Sequence, residues 1–162
     1  MASNRQKAIG AGATGAVLAL VGVLVAKWEP ARDPNVGYWD RFGHVATACY
    51  GHTGGVVVGM RYSDAQCHAW LAADMAAALA TVNRCIHVPL THKQAAALVD
   101  ATYNIGPAVV CGSTLQRLAN SGAGPATWCA QLPRWNHAGG RELTGLTRRR
   151  QDELQLCLGV QP

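Results

Sequence analysis

No two cysteines of this chain stand in a C-x-x-C arrangement, so the usual spacing of a zinc site is missing and no metal is expected. No cysteine occurs before Cys49. No run of Lys and Arg is longer than Arg148-Arg149-Arg150, and that run falls in a stretch expected to be helical. The basic balance (14 Lys and Arg against 9 Asp and Glu, net charge +5, pI near 9.1) therefore does not read as a nucleic-acid strip, and no nucleic-acid partner is expected. It suits an anionic cell wall or membrane surface better. There is no internal repeat, and no biased tract beyond one Ala/Gly-rich stretch near the N-terminus. That stretch, Ala8 to Ala26, lacks charge altogether.

What is present bounds the class. A chain of 162 residues with 49% hydrophobic residues suits one domain, in one or two lobes. Six cysteines, at 49, 67, 85, 111, 129 and 157, fit three disulfides formed in an oxidising compartment. Six cysteines allow 15 pairings, and the residues themselves do not choose among them. The histidines are scattered and read mainly as surface or structural groups.

Arg5 and Lys7 precede Ala8–Ala26, a length sufficient to span a bilayer, with the N-terminus on the cytoplasmic side and the rest outside. The stretch combines six Ala, four Gly and one Thr with eight large aliphatics, so insertion would carry a modest margin. A cleaved signal peptide fits less well, since cleavage after Ala26 leaves Leu24 where a small residue is preferred. A buried core helix should carry polar residues along one face, and none appears. Residues 1–27 are thus read as an N-terminal anchor and 28–162 as the domain.

Trp28-Glu29-Pro30 ends the apolar helix, because proline disfavours the helical region for the residue before it. Arg32 to Gly37 reads as a loop, and Phe42 to Met60, with glycine pairs and β-branched residues, as a small antiparallel hairpin or meander. Ser63-Asp64-Ala65-Gln66 is a capping box opening a helix to about Asn83, with Trp70, Leu71, Met75 and Leu79 as its core positions. Thr91-His92-Lys93-Gln94 opens a second helix, closed by Ile105-Gly106-Pro107. Further helices are expected over Ser113–Asn120, Pro125–Leu132 and Thr147–Leu158.

The chemistry concentrates between Trp28 and Gly55. Glu29 ends the apolar segment, Asp40 follows a polar loop, and Thr47 lies in a β-type run before Gly51-His52-Thr53-Gly54-Gly55. Two carboxylates and a hydroxyl are the equipment for splitting a glycosidic bond: one acid protonates the leaving oxygen, and the other, ionised, handles water or the developing cation. Trp28 and the apolar run favour a raised pKa for Glu29, whereas Arg41 favours the ionised form of Asp40.

Y-W-D-R-F-G followed by T-A-C-Y-G-H-T-G resembles the active-site stretch of phage endolysins of the T-even lysozyme family, glycoside hydrolase family 24. L-T-x-x-Q-A-A-A-L-V with Y-N-I-G, and R-W-N followed by L-T-G-L-T-R-R-R-Q-D-E-L, resemble its central and C-terminal parts. The resemblance covers residues 28 to 158 and places the family's catalytic triad on Glu29, Asp40 and Thr47. The family pattern E-x8-D-x5-T reads E-x10-D-x6-T here, with Asp33 as the competitor of Asp40. The resemblance implies an α+β, mainly helical, lysozyme-like fold with a small β-hairpin lobe, a helical lobe and a preceding hydrophobic helix. It implies an inverting muramidase without cofactor, acting as a monomer on peptidoglycan. Tyr50, His52 and Asn104 would bind substrate, and Asp74 would brace His52. It also suggests the pairs Cys49–Cys67, Cys85–Cys157 and Cys111–Cys129. Residues 8–26 resemble the signal-anchor-release segment of a class of such endolysins, first tethered to the host inner membrane facing the periplasm and then soluble there. The alternative is a membrane-anchored, non-catalytic peptidoglycan-binding protein whose altered spacing marks a degenerate site.

Overall fold

A computed structural model describes residues 11–28, 35–41 and 43–160. The fold is mainly helical with two small antiparallel sheets, α+β as expected. In order the elements are α1 (Ala11–Trp28), β1 (Tyr38–Asp40), β2 (Val45–Thr47), α2 (Asp64–Cys85), α3 (His92–Ile105), α4 (Thr114–Asn120), α5 (Pro125–Cys129), β3 (His137–Ala138), β4 (Arg141–Glu142) and α6 (Thr144–Cys157).

Helix α3 is the axis of the molecule. Its N-terminus is closed by a reciprocal box: Thr91 Oγ1 accepts from the Gln94 backbone N–H at 3.2 Å, and Gln94 Oε1 accepts from the Thr91 N–H at 2.9 Å. At the other end the Gly106 N–H bonds the Thr102 carbonyl, with Gly106 in the left-handed region at φ 86°. Between these caps every residue from Ala95 to Thr102 is buried, because α1, α2 and α6 pack around it. The small side chains of Ala95, Ala96, Ala97 and Ala101 let those helices come close.

Helix α1 buries Val17, Val21, Leu24 and Val25 in the core around α3. Its exposed positions include Gly15, Ala16, Ala19 and Ala26. The helix is thus sided by size rather than by polarity, which is why its sequence shows no polar face. Only Val23 among its large aliphatics is strongly exposed, at 64%. Full burial of four such side chains contributes roughly 6–12 kcal/mol at most. Among the described residues no helix is long and apolar enough to cross a membrane. The expected span from Ala8 begins outside the described residues.

Helix α2 starts at Ser63, whose Oγ accepts from the Gln66 N–H at 3.2 Å. Met75 and Leu79 are core as expected, while Trp70 and Leu71 are half-buried. Trp70 packs instead on a second small cluster of Ala48, Cys49 and Cys67. Helix α6 begins at Thr144, earlier than expected, because the β3–β4 hairpin and the Leu143 N–H to Asn136 carbonyl bond (2.9 Å) deliver the chain already turned. The expected Pro125–Leu132 helix stops at Cys129 and is followed by a separate 3-10 turn, Leu132–Arg134.

The disulfides correct two of the three suggested pairs. Cys49–Cys67 forms, but the others are Cys85–Cys111 and Cys129–Cys157. After Gly106 the chain makes a 3-10 turn, Pro107–Val109, that folds back against α2 and brings Cys111 within 5.4 Å (Cα–Cα) of Cys85. The ends of α5 and α6 then meet at 6.0 Å for Cys129 and Cys157. Gln116 Nε2 and Asn120 Nδ2 also bond the Cys85 carbonyl, at 3.0 and 2.8 Å. Peptide mapping without reduction is expected to recover these three pairs. Replacing Cys129 and Cys157 by Ala together is expected to cost about 3–4 kcal/mol, which thermal unfolding would read as a drop of about 10 °C.

Candidate active site

The hairpin carries two of the candidate residues. Asp40 pairs with Val45 and Tyr38 with Thr47, so the two-residue period turns Tyr38, Asp40, Val45 and Thr47 to one face and Trp39 and Ala46 to the other. Asp40 is half-exposed, whereas Thr47 is 4% exposed with its hydroxyl donating to the Val45 carbonyl at 3.3 Å. Gly43 lies against the Asp40 carboxylate: a Cβ there would sit 2.9 Å from Oδ2. At the entry to β1, Gly37 donates to the Met60 carbonyl at 2.8 Å, and a Cβ would meet the Val57 carbonyl oxygen at 2.2 Å. Only glycine fits there, and this packing sets where the hairpin leaves the loop 56–60.

After Thr47 the backbone turns through Cys49, Tyr50 and Gly51 with φ of 46°, 60° and 92°. Such conformations cost about 1–3 kcal/mol each for non-glycine residues and persist only when over-determined. Here the Cys49–Cys67 bond, the Tyr103 hydroxyl donating to the Tyr50 carbonyl, and the Ala48 N–H to His52 carbonyl bond (2.9 Å) hold the turn. His52 completes it. Its Nδ1 lies 2.7 Å from Asp74 Oδ2 and its Nε2 2.9 Å from the Gly54 carbonyl. The ring stacks on Trp70 at 4.3 Å between centroids, and Trp70 meets Tyr62 edge-on at 4.8 Å. His52 and Asp74 are thus brought together, with Tyr50 on the same turn. Asn104 lies on α3, its Oδ1 accepting from Arg150 Nη2 at 2.8 Å. Glu29 and its neighbour Asp33 lie outside the described residues.

Sequence reasoning passed over a buried charge cluster beside Asn104. Arg149 grips Asp100 with two bonds, Nε to Oδ2 at 2.9 Å and Nη2 to Oδ1 at 2.8 Å. Arg150 bonds Glu153 Oε1 as well as Asn104. Asp100, Arg150 and Glu153 are 0% exposed and Arg149 is 3%. Burial pushes the Glu153 carboxyl well above the ordinary carboxylate range, against the pull of Arg150, and the same desolvation lowers the Arg150 guanidinium. The Arg148–Arg150 run is therefore not a solvated basic face: two of its three members are core. The available signal was Asp100, alone inside Ala-Ala-Ala-Leu-Val-Asp-Ala, with an Arg149–Glu153 spacing of four.

Residues 28–153 match the family model described as Phage lysozyme. The chain belongs to the phage lysozyme family. It is 33% identical over 170 residues to the SAR-endolysin of Enterobacteria phage P21, with 98% of each chain covered. The muramidase domain of SpmX from Asticaccaulis excentricus superposes with a TM-score of 0.74 at 28% identity, covering 86% of this chain and 95% of that one. The active form of the P1 phage endolysin Lyz gives 0.73 at 24% identity, covering 94% and 96%. This phage lysozyme is an endolysin and a glycoside hydrolase with the lysozyme fold.

Proposed function

We propose that this endolysin hydrolyses the β-1,4 bond between N-acetylmuramic acid and N-acetylglucosamine in peptidoglycan. Glu29 protonates the leaving oxygen, while Asp40 and Thr47 hold and activate water on the opposite side of the ring, with inversion. The observation that carries this reading is the hairpin register, which turns the carboxylate of Asp40 and the hydroxyl of Thr47 to one face. Tyr50 and His52, on the braced turn that follows, and Asn104, held by Arg150, line the substrate path. Loss of wall clearing in a zymogram of Glu29→Gln tests the assignment, as argued in the Discussion.

The same reading makes residues 1–27 a signal-anchor-release segment and 28–162 the muramidase domain. While residues 8–26 lie in the inner membrane, Glu29 is held roughly 4–5 Å from the hydrocarbon edge at 1.5 Å per helical residue, and the exported form is inactive. Loss of the membrane potential, which holds the charged N-terminus inside, favours escape to the periplasm. The size-sided α1 supports this double life: its Val and Leu side chains suit lipid or the core, and its Gly and Ala side chains leave little apolar area exposed on the released domain. Gly15 and Gly22 have open space where a Cβ would stand, so Leu at both positions fits the docked helix at its base. The double substitution Gly15→Leu with Gly22→Leu is therefore expected to retain the protein in the membrane fraction and suppress lysis after depolarisation. Unchanged release and lysis would remove the mechanism while leaving the hydrolase standing.

A further inference from the structure

One carboxylate fastens the last turn of α1 to the last helix of the fold. Asp152 Oδ2 accepts a hydrogen bond from the Trp28 indole N–H at 2.9 Å and lies 2.6 Å from Lys27 Nζ. Lys27 Nζ also lies 5.4 Å from the Trp28 ring centroid, so the three side chains form a closed triangle. The fully buried side chains of α1, Val17, Val21, Leu24 and Val25, are apolar. Apolar packing is non-directional and fixes the depth of a helix better than its rotation or its rise. The bonds to Asp152 are directional and set both at the C-terminal end.

Asp152 is itself well anchored. It stands on α6 between Arg150 and Glu153, and α6 is pinned to α3 by Arg149 on Asp100 and by Arg150 on Asn104. A rigid path thus runs from α3 through α6 to Trp28, and the next residue in the chain is Glu29. We propose that Asp152 is a positioning residue for Glu29, fixing the end of the docked α1 so that the acid meets the glycosidic oxygen; this rests on the reading of Glu29 as the general acid. Lys27 and Trp28 are side chains suited to the headgroup layer at a membrane-helix end. Their bonds to Asp152 form only when α1 lies on the folded domain.

The test uses the full chain after release, with initial rates on suspended peptidoglycan over a range of substrate concentrations. Asp152→Leu is expected to lower kcat about 100-fold, the scale of an approximately 1 Å misplacement, with KM unchanged. Asp152→Asn keeps an acceptor for the indole and should lose less. Trp28→Phe should lower kcat, and adding it to Asp152→Leu should cost nothing further, because both remove the same bond. A loss carried by KM, additive losses, or wild-type kcat in Asp152→Leu would each overturn the proposal. If Asp152→Leu does not fold, as judged by thermal unfolding, Trp28→Phe and Lys27→Met at the helix end decide it by the same kcat criterion. Activity surviving Glu29→Gln would instead defeat the underlying assignment. An inactive Glu29→Gln beside fully active Asp152 variants would defeat the positioning role alone.

Discussion

Glu29→Gln is expected to abolish clearing of cell-wall substrate while leaving thermal unfolding unchanged. The amide keeps the size of the side chain but carries no acidic proton. Loss of a general acid costs about 10²–10⁴-fold, and in an assay of lysis that is complete. Asp40→Asn should lose orders of magnitude by the same measure, because an amide neither activates water nor stabilises the developing cation. Asp33→Asn should lose little. The two extra residues of the first loop make Asp33 the natural competitor; the hairpin register, which gives Asp40 the same face as Thr47, supports the proposal for Asp40. Inactive Asp33→Asn beside active Asp40→Asn would reverse that assignment.

Arg149→Leu should be the most damaging substitution for stability. It strips the fully buried Asp100 of both guanidinium bonds and leaves its carboxylate in the core without them. Breaking a buried pair from one side costs about 3–5 kcal/mol, against which Asp100→Leu with Arg149→Leu should recover a large part. Thermal unfolding would show a drop of about 10–15 °C for the single variant and a smaller one for the double. A drop of the same size in both would mean that packing, not the unpaired charge, dominates. Glu153 gives the cluster a pH dependence. Its folded carboxyl titrates well above the unfolded value of about 4.3, because burial disfavours the charge. The stability linked to it is thus fully present below the unfolded value and is lost as pH rises towards the folded one. Glu153→Gln should flatten that slope.

Local chemistry was legible in the chain itself. Thr91 and Gln94 announced α3, Ser63 announced α2, and Gly106-Pro107 marked where α3 ends, because caps and stops are contacts between residues three or four apart. The active-site stretch could be read for a related reason: an acid, a β-type run and a hydroxyl stand close together between Trp28 and Gly55. The chain also specified that its six cysteines would form three bonds, but not which, since Cys85 finds Cys111 only after the turn at Pro107–Val109 folds back on α2. Tertiary structure alone placed Arg149 and Arg150 in the core, because α3 offered Asp100 and Asn104 to α6 across nearly fifty residues. It alone gave α1 its sidedness, since a helix can segregate large from small side chains without any polar pattern. And it alone joined Asp152 to Trp28, because a contact 124 residues apart exists only once the end of α1 meets α6.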